Sequence, residues 1–151
     1  MYHHKVYDYI VVALFNNQIT IEDIEMFSKD MQQLSQTKGE IYIIASAVDI
    51  ASYPTNISQL LKALKLLQAV MGQVKRIYGI RFNPAISFLS NTVTQIIRVN
   101  TNTVEARDKQ HMFEIIRREA QQFPKLQESI HHLDSIEEYI DSYKIETQNE
   151  T

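Results

Sequence analysis

Five histidines and a group of serines near one strand end are the residues of this chain best suited to chemistry. The histidines stand as His3-His4, His111 and His131-His132. Imidazole ligates transition metals and carries protons. Adjacent residues on an extended segment point to opposite faces, however, so each pair makes a poor two-point clamp. There is no cysteine to add a thiolate, and no metal site is expected. Ser46, Ser52 and Ser58 offer hydroxyls around the strand that ends at Asp49. A serine nucleophile in an α/β fold sits in a Gly-x-Ser-x-Gly elbow, and none of the three does. Asp49 lacks the second acid that paired-carboxylate chemistry requires. The chain holds three glycines in 151 residues, too few for a Walker-type or dinucleotide-binding loop. No catalysis is expected, and no cofactor.

The same strand end is a plausible place to bind something. In open parallel sheets, ligands meet the carboxyl ends of strands, beside helix N-termini with unpaired N–H groups. Asp49, Ser52, Tyr53, Thr55, Asn56 and Ser58 fall there. A phosphate added to one of these hydroxyls would be favoured by the helix dipole. Charge is also uneven. The 55 residues between Asp49 and Glu105 contain no acid, while Lys62, Lys65, Lys75, Arg76, Arg81 and Arg98 give that stretch +6. Of these, Lys62, Lys65, Arg76 and Arg81 are the candidates for holding an anion. Nucleic acid is not expected, because the patch is modest and the whole chain carries a net charge of −3.

The elements that position these residues alternate in type. A first strand is predicted over Val6–Phe15, closed by a turn at Asn16-Asn17. Thr20 caps a helix, with Asp23 three residues on, and its apolar stripe is Ile24, Phe27, Met31 and Leu34. Gly39 ends it. The run Ile41–Val48 is the clearest central strand, and Pro54 breaks the loop that follows. Asn56 or Thr55 caps a second helix carrying Ile57, Leu60, Leu61, Leu64, Leu67, Val70 and Met71, closed by Gly72. A third strand is expected near Arg76–Phe82, then a helix opened by Asn83-Pro84 with Ile86, Leu89, Val93, Ile96 and Ile97 inward. A fourth strand near Asn100–Arg107 leads to a helix capped by Asp108. Beyond Pro124, a short helix around Ser135–Ile140 and a polar tail from Glu146 complete the chain. Strand–helix alternation of this kind indicates an α/β domain on a four- to five-stranded, mostly parallel sheet flanked by helices. The expected division is an α/β domain over 1–123 and a helical extension over 124–151.

Composition supports that class. Hydrophobic residues make up 44% and charged residues 22%, ordinary values for a globular domain. The absence of cysteine fits a reducing compartment. No apolar run approaches the ~20 residues that cross a bilayer, and Met1–Lys5 is polar, so a cytoplasmic location is expected. Eight tyrosines and no tryptophan suggest tyrosines packed on the sheet and helices, with Tyr7 and Tyr9 sharing one strand face and Tyr139 and Tyr143 one helix face.

The order of elements and the loop after Asp49 resemble STAS domains, named for sulfate transporters and anti-sigma-factor antagonists, and their shortened bacterial relatives. Ile19-Thr20-Ile21-Glu22-Asp23 follows the first strand and turn as in that family. Val48-Asp49-Ile50 is similar to the family's strand ending in Asp-Leu. The family's Asp-Ser-Ser-Gly-Leu at the next helix start is here Asn56-Ile57-Ser58-Gln59-Leu60, which keeps one serine and the leucine. The likeness spans roughly residues 5–123. It implies a non-catalytic regulatory module that binds a protein partner, with Ser58 near the place of the phosphorylatable serine. Two rival readings follow from the residues themselves. One is a carrier of a small anionic or lipid-like ligand using the basic stretch 62–98, and the other is a structural homodimer.

Overall fold

The computed structural model describes residues 1–52, 56–80 and 102–149. Its sheet opens with a hairpin. Strand β1 (Tyr2–Tyr7) runs antiparallel to β2 (Ile10–Gln18), and Tyr7 stands opposite Ile10. Only Asp8 and Tyr9 make the turn, and Asp8 takes a left-handed φ of 55°. Aspartate tolerates that region because its short polar side chain bonds locally. The expected first strand, Val6–Phe15, is therefore two strands folded back on each other. The turn predicted at Asn16-Asn17 is also displaced, since β2 continues through both asparagines to Gln18.

From β2 onward the strands are parallel: β3 (Tyr42–Ser52), β4 (Arg76–Ile80) and β5 (Thr103–Ala106) follow in the spatial order β1-β2-β3-β4-β5. Helix α1 (Ile21–Lys38) starts at Thr20, whose hydroxyl accepts from the Asp23 amide at 3.2 Å. The Asp23 carboxylate accepts from the Thr20 amide at 3.0 Å, completing the capping box. Gly39 ends α1 with φ 81°. Helix α2 (Ile57–Met71) is capped by Asn56 and closed at Gly72. Helix α3 (Lys109–Glu119) is capped by Asp108, which accepts from the His111 amide at 2.8 Å. Pro124 then opens α4 (Pro124–Ser129) at the position where its missing N–H costs nothing.

A single 3₁₀ turn, Ile130–His132, leads into α5 (Leu133–Asn149). The expectation was a short helix from Ser135 with a polar tail from Glu146. The helix instead begins two residues earlier, because Leu133 joins Ile136 and Ile140 on one buried apolar edge, and it runs on to Asn149. The predicted helix over residues 83–97, together with Arg81 and Arg98, lies outside the described residues. So do Tyr53, Pro54 and Thr55.

Alternation along the strands sorts the core into two layers. Ile10, Val12 and Leu14 join Tyr42, Ile44 and Tyr78 on one face, covered by Met112, Phe113 and Ile116 of α3, Leu126 of α4, and Ile136 and Ile140 of α5. Val11, Ala13 and Ile43 point the other way, toward Phe27 and Met31 of α1 and Val70 of α2. Val11 to Leu14 and Ile41 to Ile44 are all fully buried. A strand covered on both faces reads in sequence as an uninterrupted apolar run.

Candidate functional site

Asn56 begins the site. Its side-chain oxygen accepts from the amides of Ser58, at 2.8 Å, and Gln59, at 3.4 Å. Those bonds satisfy two of the four N–H groups a helix start leaves open. Ser58 stands in the first turn of α2 and is exposed. A negative charge there would sit at the positive end of the helix dipole.

The apolar stripe predicted along α2 does not all face inward. Ala63, Val70 and Met71 are buried, but Ile57 is 76% and Leu61 56% exposed. Four residues apart, those two share a face, turned by about a third to a half of a turn from the ridge of Ala63 and Val70. With Ser58, Lys62 and Lys65 they line one shallow surface concavity. Lys62 leans from it toward α1, where its ammonium meets the Glu25 carboxylate at 2.5 Å. That hydrogen bond, and the charge attraction with it, raise the Lys62 pKa. The contact also sets the N-terminal halves of the two helices side by side, and Met26 beside Glu25 is exposed as well.

The strand feeding this helix is irregular at its end. Asn16, Asn17 and Gln18 of β2 pair with Val48, Ile50 and Ser52 of β3, so β3 supplies two residues for each one opposite it. Such bulges strengthen local twist and re-aim a strand end. Asp49 is one of the residues passed over, and Ser52 is the last of the strand. Asp49, Ser52, Asn56 and Ser58 thus follow one another along the carboxyl edge of the sheet and into α2. Tyr53 and Thr55 are not among the described residues.

Of the four candidate anion-binding residues, the three that are described are not gathered together. Lys62 and Lys65 belong to the α2 surface. Arg76 opens β4 at the opposite edge, where its Nε donates to Glu119 Oε1 at 3.0 Å and its guanidinium lies 5.0 Å from the centre of the Phe123 ring. The Tyr78 hydroxyl donates to the same oxygen at 3.2 Å. Burial first, then the Glu119 charge, push the Tyr78 pKa well above its ordinary range. Arg76 is therefore committed to an internal contact, and Arg81 is not described.

His111, near the start of α3, accepts at Nδ1 from the Arg107 amide at 3.1 Å, and the two histidine pairs fall into two further situations. His3-His4 lies on β1, as an extended pair, and His4 Nδ1 is 3.1 Å from the Tyr2 hydroxyl. His131-His132 occupies the 3₁₀ turn instead, so the argument from extended segments does not apply to it. The two rings lie side by side with centroids 3.9 Å apart, and both reach toward Asp8 of the hairpin turn. Only the pairing of a hairpin with the far end of the chain makes this constellation, and no local spacing announces it.

The tyrosines pack as expected in kind but not in place. Tyr7 is buried at the end of β1, while Tyr9 sits in the turn with Lys38 and Lys125 over its ring. Among the described residues no helix is long and apolar enough to cross a membrane.

No family model matches the chain, and no curated protein does. Two solved structures are similar to it, both of SpoIIAA. The phosphorylated form of this Bacillus cell-fate determinant shares 11% identity at a TM-score of 0.48, covering 76% of this chain and 99% of its own. The unphosphorylated form, an anti-sigma-factor antagonist, shares 14% at 0.43, covering 67% of this chain and 99% of its own. The mostly parallel five-stranded sheet, flanked by helices and followed by a C-terminal helix, is the architecture expected from the sequence.

Proposed function

We propose that this chain is a non-catalytic, regulatory protein-interaction module whose working surface is the exposed start of α2 with the strand end that leads into it. The observation that carries this reading is the exposure of Ile57 and Leu61 on one face of that helix, beside Ser58 and two lysines. Large aliphatic side chains held in water on an otherwise amphipathic helix gain free energy when a partner covers them. Lys65 at the margin, with Lys62 beside it paired to Glu25, favours a partner that presents a carboxylate next to its apolar side chains.

Ser58 is the proposed switch. Aspartate or phosphate at this position stabilises the helix start but sets a negative charge against an acidic partner. Ser58→Asp is therefore expected to weaken binding, and unchanged affinity would count heavily against the switch. The cytoplasm is the proposed setting.

Tagged wild-type protein and the Ile57→Asp/Leu61→Asp variant serve as paired baits in extract from the source cell. The expected result is a partner retained by the wild type and lost by the double variant. Equal retention by both, or no specific partner for either, sinks the reading. Native and denatured masses of gently purified protein test the carrier alternative, since added mass lost on denaturation would mark a bound small ligand.

A further inference from the structure

Asp8, His131 and His132 bring one carboxylate and two imidazoles to one point on the surface, with all three donor atoms within 4.8 Å of one another. His132 Nε2 is 2.8 Å from Asp8 Oδ2, and His131 Nε2 is 3.9 Å from the same oxygen. Zinc bonds of about 2.0–2.2 Å in a tetrahedral array place neighbouring donors about 3.3 Å apart. The two contacts to Asp8 would open and close by about half an ångström each, and the two imidazole nitrogens, which lie within 4.8 Å of each other, would settle to the same spacing. Side chains that are 53% exposed at Asp8 and 65% at His131 have room for that adjustment.

The backbones bearing these donors are held together independently of any ion. The Tyr9 amide donates to Ser129 Oγ at 3.1 Å, and Ser129 Oγ donates to the Lys125 carbonyl at 3.0 Å. Ser129 is fully buried. The residue after Asp8 is thus tied to the residue that precedes the 3₁₀ turn. The Tyr7 ring lies 5.7 Å from that of His132 and backs the site on its inner side. The donors come from segments 123 residues apart, yet their relative positions are fixed by buried contacts rather than by the ion. Such preorganisation is what raises a ligand cluster above a chance surface grouping.

We propose that Asp8, His131 and His132 form a binding site for a divalent transition-metal ion of the zinc class, clamping the β1–β2 turn to the junction of α4 and α5. Two imidazoles with one carboxylate suit zinc and its first-row neighbours, whereas calcium and magnesium prefer all-oxygen sets. His132 would ligate through Nε2 as the Nδ1–H tautomer, giving up to the metal the position from which it now meets Asp8. Three protein ligands leave the remaining coordination to water. The site lies at the amino edge of the parallel strands, on the sheet face of α3 to α5, away from the exposed start of α2. It is independent of the proposed partner surface.

The test uses untagged, full-length protein stripped with chelator and dialysed. Calorimetric titration with zinc, and titration with cobalt followed by its visible d–d absorption, are expected to give one site per chain. Asp8→Asn and His131→Ala should each weaken binding by at least about tenfold, since loss of even an outer partner costs 10–100-fold. Asparagine accepts the left-handed turn as aspartate does, so Asp8→Asn keeps the hairpin, and circular dichroism confirms the fold of both variants. His3→Ala/His4→Ala, which removes the other histidine pair, should leave affinity unchanged. Zinc should raise the melting temperature of the wild type but not of His131→Ala. The proposal is overturned if wild type binds no metal at about a hundredfold molar excess. It is equally overturned if the Asp8 and His131 variants bind as the wild type does, or if affinity disappears with His3 and His4.

Discussion

Asp23 shows how much one side chain settles at the start of α1. It exchanges hydrogen bonds with Thr20 and lies 3.3 Å from the Met1 ammonium, which also donates to the carbonyls of Asn16 and Gln18. Burial works to raise its pKa. The bonds from Thr20 and the ammonium outweigh burial, so the folded carboxyl ionises below the ordinary aspartate range. A depressed folded pKa means stability that is present above the unfolded value and lost as pH falls through the folded one. Asp23→Ala is therefore expected to cost about 1 kcal/mol at neutral pH, with the deficit shrinking below about pH 3.9. Urea unfolding at several pH values reads this directly, and a deficit that does not narrow in acid would refute it. Gly39 offers a cleaner case at the other end of the helix. Its φ is 81°, and an added methyl would meet only the Lys125 ammonium at 3.9 Å. Gly39→Ala should then cost about 1 kcal/mol of backbone strain alone, without any clash to relieve. Both residues were legible in the sequence, because a cap and a helix terminator act within four residues of their effect.

Elements were legible wherever one face of a helix or both faces of a strand had to be buried. The buried turns of α1, the central run of β3 and the caps at Thr20, Asn56 and Asp108 all stand where the pattern puts them. The β1–β2 hairpin was hidden because its turn is Asp8-Tyr9, without the glycine that usually supplies left-handed backbone in a two-residue loop. The exposed start of α2 was hidden for a different reason. An apolar stripe shows which residues share a face, but not whether another layer reaches that far along the helix. This gives a prediction at the scale of the element. Leu61→Asp should change unfolding free energy by no more than about 0.5 kcal/mol, while Met31→Ala, fully buried on neighbouring α1, should cost about 2–5 kcal/mol. If Leu61→Asp is as damaging as Met31→Ala, the α2 face is covered within the chain and is no docking surface.

At the scale of the molecule, the question is what α4 and α5 are for. They follow the strand–helix alternation and read in sequence as an appendage, since nothing in one dimension says what a terminal amphipathic helix covers. In the fold, Leu126, Leu133, Ile136 and Ile140 are at most 3% exposed, and they close the same layer as Tyr42, Ile44 and Tyr78. Parallel strands need cover on both faces, and α3 alone is 11 residues long. We therefore propose that the boundary after Phe123 separates element types rather than independently stable parts. Ile136→Ala should remove about 2–5 kcal/mol and do so within one cooperative transition, because the sheet it covers is also the floor of the α1–α2 layer. Far-ultraviolet circular dichroism follows the whole chain through urea unfolding, and tyrosine fluorescence weights the sheet face bearing Tyr42 and Tyr78. Coincident curves displaced to lower denaturant are the expected result. Two separated transitions, or a loss under about 1 kcal/mol, would instead make residues 124–149 a unit that docks on a sheet already stable without it.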